Sequence, residues 1–225
     1  MNAFLFDMDG TIFDTERISL ECWEAAAKEL GLPLCMTELI DEMYGLNRLT
    51  LADFFIQRFG SDFPYREFID RRCAIMEERL ACEVPKKPGV PSVFAAIRSR
   101  GCKLALVSST LTESILRYLS LAGLDKVFDL VLGGDAVKHG KPHPDCYLLA
   151  AKTLGVSPCD CFVVEDSKNG ILAGSRAGMR TILVPDRQIP DEETCLHSAY
   201  RFASLCELEA HLDTLLNREE KGEER

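Results

Sequence analysis

Two aspartates one residue apart, Asp7 and Asp9, sit in the run Asp7-Met8-Asp9-Gly10-Thr11, directly behind the apolar stretch Ala3-Phe4-Leu5-Phe6. If the strand geometry of that stretch persisted, both carboxylates would project from the same side, about 6.6 Å apart, at its carboxyl end. Two like charges placed together are costly unless a cation offsets them. The competing reading of the pentapeptide is an Asp-rich turn before glycine with no chemistry attached. An EF-hand calcium loop does not fit: twelve residues from Asp7 falls on Ile18 where a bidentate Glu is needed, and Thr11 occupies the fifth position.

A second acidic pair tips the balance toward chemistry. The apolar run Cys161-Phe162-Val163-Val164 ends in Glu165-Asp166-Ser167, and a strand parallel to the first would deliver these carboxylates to the same edge as Asp7. Four converging acids call for a hard divalent ion. Mg²⁺ keeps several waters while taking one or two protein carboxylates and a substrate phosphate oxygen. A phosphate also needs positive charge and donors. Gly140-Lys141-Pro142 offers an ammonium ahead of a helix, and Lys103–Val107 runs into Ser108-Ser109, which offers a hydroxyl and amides. Taken singly, Lys141 reads as a solvated loop lysine and Ser108 as a turn hydroxyl. Their placement after successive strands makes them a set.

Short β-rich runs bounded by turns must position these residues: Ala3–Phe6, Lys103–Val107, Asp129–Leu132, Cys161–Val164 and Thr181–Val184. Their hydrophobicity is continuous, as in parallel strands buried on both faces. Helical patterns fall between them. Val93, Phe94 and Ile97 share a face; Thr110-Leu111-Thr112-Glu113 fits a capping box opening a helix to about Leu121; Pro144 suits the first turn of a helix reaching Gly155. Ser204-x-x-Glu207 opens another helix, with Leu205, Leu208, Leu212 and Leu215 at helical spacing. This alternation predicts an α/β fold, an open, doubly wound parallel sheet. From Thr15 to about Lys86 only helical patterns appear, among them Trp23, Ala26, Ala27 and Leu30, then Ile69, Cys73, Met76 and Leu80. The organisation expected is an α/β core of residues 1–14 and 87–225 with an all-helical cap, 15–86, inserted after the first strand.

These residues resemble the haloacid dehalogenase superfamily of aspartyl-phosphate hydrolases, in its branch with a helical cap after the first strand. The resemblance spans roughly Ala3 to Val184 and rests on four motifs in order: Asp7-x-Asp9-Gly10-Thr11, Ser108, Lys141-Pro142, and Glu165-Asp166 followed by Gly170-Ile171 and Ala173-Gly174. It implies Asp7 as nucleophile and Asp9 as general acid and base and as a backbone ligand of Mg²⁺. Asp7, Glu165 and Asp166 would complete the metal site, and Ser108, Ser109 and Lys141 would bind the phosphoryl group. A carboxylate attacking phosphorus splits a difficult hydrolysis into two steps, and its charge must be offset before it meets an anionic substrate.

The insertion would act as a lid hinged at Phe13-Asp14-Thr15 and Lys86–Pro88. Sugar-phosphate members of this branch carry an Arg on a loop like Gly45-Leu46-Asn47-Arg48, which makes Arg48 the specificity candidate against a plain surface charge. The expected activity is Mg²⁺-dependent hydrolysis of small phosphorylated metabolites, sugar phosphates among them. The alternative is a phosphosugar mutase, but aligning Trp23 with the mutases' tryptophan puts Ser19 where they carry a histidine. Dehalogenases and phosphonate hydrolases of the family lack an acid at the Asp9 position, and a non-catalytic relative would be expected to have lost Asp7, Asp9 or Lys141.

Composition sets the remaining bounds. The chain has 225 residues, 47% of them hydrophobic, ample for a buried core, with 26 Lys and Arg against 36 Asp and Glu for a formal charge of −10. That balance disfavours nucleic acid and anionic membranes as partners. No apolar run approaches the ~18 residues of a membrane span and no export signal opens the chain, so a cytoplasmic, monomeric protein is expected. The ten cysteines are scattered, which reads as reduced and mostly buried thiols. His139, His143, His197 and His211 read as surface or capping residues without metal-ligand spacing to the acids. The charge-dense Asn217–Arg225 is where disorder is expected.

Overall fold

The computed structural model describes residues 1–43, 48–81, 84–187 and 189–217; the side chains of residues 41 and 48–50 also lie outside that description. The chain divides into two units, one made of Met1–Phe13 and Pro85–Arg225, the other of Asp14–Val84.

The first unit is built on a sheet of six parallel strands, β1 (Ala3–Phe6), β2 (Lys103–Val107), β3 (Leu130–Leu132), β4 (Cys161–Glu165), β5 (Arg180–Leu183) and β6 (Tyr200–Arg201). Their spatial order is β3-β2-β1-β4-β5-β6. The chain therefore winds outward from β1 in one direction, then returns to β4 and winds outward in the other. That reversal leaves a crevice at the carboxyl ends of β1 and β4, the place where open α/β sheets bind ligands.

Each strand's two faces are buried against different partners, which explains the unbroken apolar runs. On one face Ala3, Leu5, Ala105, Val107, Cys161 and Val163 are small enough for a helix bearing Tyr147, Ala150 and Ala151 to approach closely. On the other, Phe4 stacks on Phe162 with centroids 4.7 Å apart, and Phe6 meets Phe94 edge-on at 5.0 Å.

The second unit holds the helices α1 (Thr15–Glu29), α2 (Met36–Met43), α3 (Arg48–Phe59) and α4 (Tyr65–Leu80). Its core gathers Trp23, Phe55 and Phe68, with Trp23 5.0 Å from Phe68 and Phe55 stacked on Phe63 at 5.1 Å. The first unit continues with α5 (Val90–Ser99), α6 (Thr112–Leu121), α7 (Asp145–Leu154), α8 (Lys168–Arg176), α9 (Glu192–Leu196), α10 (Leu205–Ala210) and α11 (Leu212–Asn217).

Several local expectations are corrected. No capping box forms at Thr110: the Thr112 amide that opens α6 donates instead to Asp135 Oδ1 at 2.8 Å, from the turn after β3. Asp129 falls outside β3 because its carboxylate accepts from the Leu104 amide at 2.8 Å and from Arg98 at 2.7 Å, anchoring the strand's entrance. The helix begun by Ser204 is two, α10 and α11, parted at His211, although Leu205, Leu208, Leu212 and Leu215 are all buried as their spacing implies. The two-residue β6 gave no sequence signal. The described cysteines are all free thiols, but only Cys22, Cys102, Cys146 and Cys161 are buried, and Cys35, Cys159 and Cys206 are exposed. No helix among the described residues is long and apolar enough to cross a membrane. Disorder was expected over Asn217–Arg225; Asn217 instead ends α11, and residues 218–225 lie outside the described residues.

Candidate active site

Strand register brings the motif residues to one edge. Phe6, the last residue of β1, stands opposite Leu106 of β2 and Val164 of β4. The next residue, Asp7, still donates its amide to the Val164 carbonyl at 2.9 Å, while the Ser108 amide donates to Leu132 at 3.0 Å. Asp7, Ser108 and Glu165 thus occupy the carboxyl ends of three adjacent strands, and all three are buried.

Lys141 ties this edge together. Its ammonium lies 2.6 Å from Asp7 Oδ1 and 2.8 Å from Glu165 Oε1, and donates to the Val107 carbonyl at 3.0 Å. The side chain is only 7% exposed. The solvated-loop reading of Lys141 is therefore wrong in physical terms, since a lysine so buried is stable only when paired. The Lys141–Pro142 peptide bond is cis.

Glu165 is engaged at both oxygens. Oε1 accepts from Lys141 and from the fully buried Tyr147 hydroxyl at 3.3 Å, and Oε2 accepts from the Asp166 amide at 3.0 Å, the Ser167 amide at 2.9 Å and the Ser167 hydroxyl at 2.8 Å. This carboxylate acts as a bracket, holding the lysine on one side and the start of α8 on the other, where Ser167 caps the Gly170 amide.

Charge is not balanced by these contacts. Burial pushes the Asp7 carboxyl up to about 8, against the pull of Lys141, and the neighbouring Glu165 and Asp9 add to the rise. Burial alone would lower Lys141, but Asp7 and Glu165 reverse that and hold it well above its ordinary value. One ammonium pairs with Asp7 and Glu165, while Asp166 lies in the same carboxylate group, and like charges about 4 Å apart cost about 4 kcal/mol per pair at the effective dielectric of such sites. Carboxylate oxygens of Asp7, Glu165 and Asp166 lie within 4.8 Å of one another. A set of oxygen donors with surplus negative charge fits a hard divalent cation.

Two glycines let these carboxylates sit where they do. Gly10 has φ +79°, and a Cβ there would stand 2.3 Å from Asp166 Oδ2; the first and last motifs meet through the missing side chain. Thr11 adds a hydroxyl contact to Asp166 Oδ1 at 3.2 Å. At Gly170 a Cβ would lie 1.7 Å from Glu165 Oε1. Gly170→Ala is accordingly expected to dislodge Glu165, lowering stability by about 2 kcal/mol or more. Urea unfolding checks this, and a midpoint matching the parent's would contradict the bracket.

Asp9 stands apart from the lysine-centred group. It is half-buried, and its Oδ2 accepts from the Thr110 hydroxyl at 3.0 Å, while the Ser108 hydroxyl accepts from the Thr110 amide at 3.0 Å. The sequence reading assigned Thr110 only to a helix start and missed this contact. Its position three residues past the end of β2, two after Ser108, was the available signal. Ser109 is exposed at the same turn. Arg48 opens α3, so it belongs to a helix rather than a loop; its side chain and residues 44–47 lie outside the described residues.

A family model for haloacid dehalogenase-like hydrolases matches residues 4–184. The chain is 33% identical over 183 residues, 81% of its length and 84% of the relative's, to a phosphorylated carbohydrates phosphatase of Thermotoga maritima. It is 29% identical over 213 residues, 92% of its length and 94% of the relative's, to hexitol phosphatase B of Escherichia coli K12. The solved structure of a beta-phosphoglucomutase from Clostridium difficile matches with a TM-score of 0.77 at 23% identity, covering 98% of each chain, a likeness that bears on the fold alone. The chain belongs to the haloacid dehalogenase-like hydrolases, and among them it is an enzyme of the phosphoric monoester hydrolase class.

Proposed function

We propose that this enzyme is a Mg²⁺-dependent phosphatase of small phosphorylated metabolites, with sugar phosphates as the leading substrate class, working through a phosphoryl group carried on Asp7. The observation that carries this reading is the Asp7–Lys141–Glu165 bridge at the carboxyl ends of β1 and β4, with Asp9 turned to a different partner. Relatives that act on phosphorylated carbohydrates and on hexitol phosphates support the substrate class.

In this reading Asp7 Oδ attacks phosphorus, and Lys141 lowers the repulsion between the carboxylate and the phosphate dianion. The P–O bond to the leaving alkoxide breaks as Asp9 delivers its proton to that oxygen. Asp9, now ionised, takes a proton from a water that cleaves the acyl phosphate and restores Asp7. Ser108, Ser109 and Lys141 would hold the phosphoryl oxygens. Asp7, Asp166 and the Asp9 backbone carbonyl would hold the metal, with Glu165 acting through Lys141 and the Asp166 amide. When bound, the ion supplies Lewis-acid stabilisation of the charge that develops on the phosphoryl oxygens. The helical unit of Asp14–Val84 would select substrates as a cap, with Arg48 as its specificity candidate.

Release of inorganic phosphate from a panel of sugar and polyol phosphates, with Mg²⁺ and with chelator, tests the proposal; activity indifferent to chelation would refute it. Asp166→Ala should raise the Mg²⁺ concentration for half-maximal activity by about tenfold or more before it disturbs the unfolding midpoint. A mutase reading survives only if β-glucose 1-phosphate with a trace of glucose 1,6-bisphosphate yields glucose 6-phosphate without phosphate release. Against it stands Ser19, whose hydroxyl accepts a hydrogen bond from Arg72, itself 5.2 Å above the Trp23 ring. A hydroxyl so engaged offers no imidazole chemistry.

A further inference from the structure

His139, His143 and Asp145 converge on the segment that carries Lys141, although their sequence spacing to the acids gave no such sign. His139 Nδ1 lies 3.0 Å from one oxygen of the Asp145 carboxylate and His143 Nδ1 2.8 Å from the other. The two ring centroids are 4.8 Å apart. We propose that these three residues form a second cation site, for a borderline divalent ion such as Zn²⁺, separate from the carboxylate cluster.

The geometry is already close to what such an ion requires. Zn²⁺ takes imidazole nitrogen and carboxylate oxygen at about 2.0–2.2 Å in tetrahedral arrangement, which spaces neighbouring ligand atoms by about 3.3 Å. Each nitrogen-to-oxygen separation is within about half an ångström of that spacing, and one ligand atom from each of the three residues lies within 4.8 Å of the others, so turning both rings toward one carboxylate oxygen would seat the ion. Each ring need only carry its remaining proton at Nε2 for Nδ1 to become a donor.

The backbone that bears them is restrained. His143 stands between Pro142 and Pro144, its amide donates to the Gly140 carbonyl at 3.0 Å, and Arg176 donates to the Pro142 carbonyl at 2.8 Å. A preorganised loop loses little entropy on binding. Both histidine side chains are 52% exposed, so the ion is reachable and its fourth position open to water. Donor type separates the two sites: imidazole nitrogens favour Zn²⁺, Ni²⁺ or Cu²⁺, whereas the all-oxygen cluster around Asp7 favours Mg²⁺. The other described histidines lack the arrangement, for His197 pairs with the Ser175 hydroxyl and His211 with a backbone carbonyl.

Calorimetric titration of Zn²⁺ into the full chain held in millimolar Mg²⁺ tests the site. One equivalent should bind, and His139→Ala or His143→Ala should each weaken binding by more than about tenfold, since even an outer partner of a metal ligand is worth about that much. Both substitutions are on exposed side chains and should leave the thermal midpoint unchanged. Co²⁺ in place of Zn²⁺ should give visible bands without a thiolate charge-transfer band. Absence of binding overturns the proposal. So does an isotherm unaffected by the substitutions, a thiolate band, which would place the ion on Cys35, Cys159 or Cys206, or full displacement by Mg²⁺, which would place it on the carboxylates.

Discussion

Replacing Asp7 by Asn is expected to abolish turnover while leaving the protein folded. An amide cannot attack phosphorus, and loss of a nucleophile removes roughly 10⁴-fold or more in rate, what remains coming from positioning and charge alone. The substitution is nearly isosteric, and the charge it removes is costly where it sits: burial holds the Asp7 carboxyl up at about 8. A carboxyl whose folded value is raised above its unfolded one takes up a proton on folding, so its contribution to stability is present at low pH and is lost as pH rises through 8. Asparagine is free of that loss. In the absence of metal, Asp7→Asn should therefore be at least as stable as the parent at and above neutral pH, with Lys141 still paired to Glu165. Phosphate-release kinetics and urea unfolding on the same preparations check both halves. Turnover within about tenfold of the parent would remove Asp7 from the nucleophile's place; loss of the fold would mean that Lys141 depends on Asp7 more than on Glu165.

The sequence carried the outline of this site because its physics is local. A run such as Ala3–Phe6 is apolar on every residue only if both faces are covered, which fixes a parallel strand, and parallel strands place their following residues at one edge. Asp7, Ser108 and Glu165 could be assembled from that rule before any coordinates. What escaped the sequence depends on contacts between distant segments. Asp135 reaches 23 residues back to open α6, so the apparent capping box at Thr110 was left without a role and its hydroxyl turned to Asp9 instead. Glu165 reads from its position as one more metal carboxylate, and its bonds to Lys141, Tyr147 and Ser167, from the segment before α7, from α7 and from the start of α8, could not be read from its own neighbours in the chain. The convergence of His139 and His143 on Asp145 was hidden in the same way, by a turn that folds back through the His143 amide.

The contrast between the two aspartates decides the second large effect. Asp7 is buried and bonded to the Lys141 ammonium, which fixes the carboxyl in place and opposes the rise that burial imposes on it. Asp9 is half-buried, and its carboxylate accepts from the Thr110 hydroxyl rather than from the Lys141 ammonium. Two carboxylates one residue apart thus face different partners, as a division between nucleophile and proton carrier requires. Asp9→Asn is expected to lower the rate on sugar phosphates by roughly 10²–10⁴, the usual range for a general acid and base. The loss should depend on the leaving group. An aryl phosphate departs as a stable phenolate and needs little protonation, so formation of the phosphorylated enzyme should be far less impaired than with an alkyl ester. Its hydrolysis still needs a base, so an aryl substrate should give a burst of phenol followed by slow turnover. Rapid-mixing measurements with both ester types read this directly. Equal loss on aryl and alkyl esters with no burst would deny Asp9 the proton-carrying role. In that case the Thr110 contact would do no more than brace the turn.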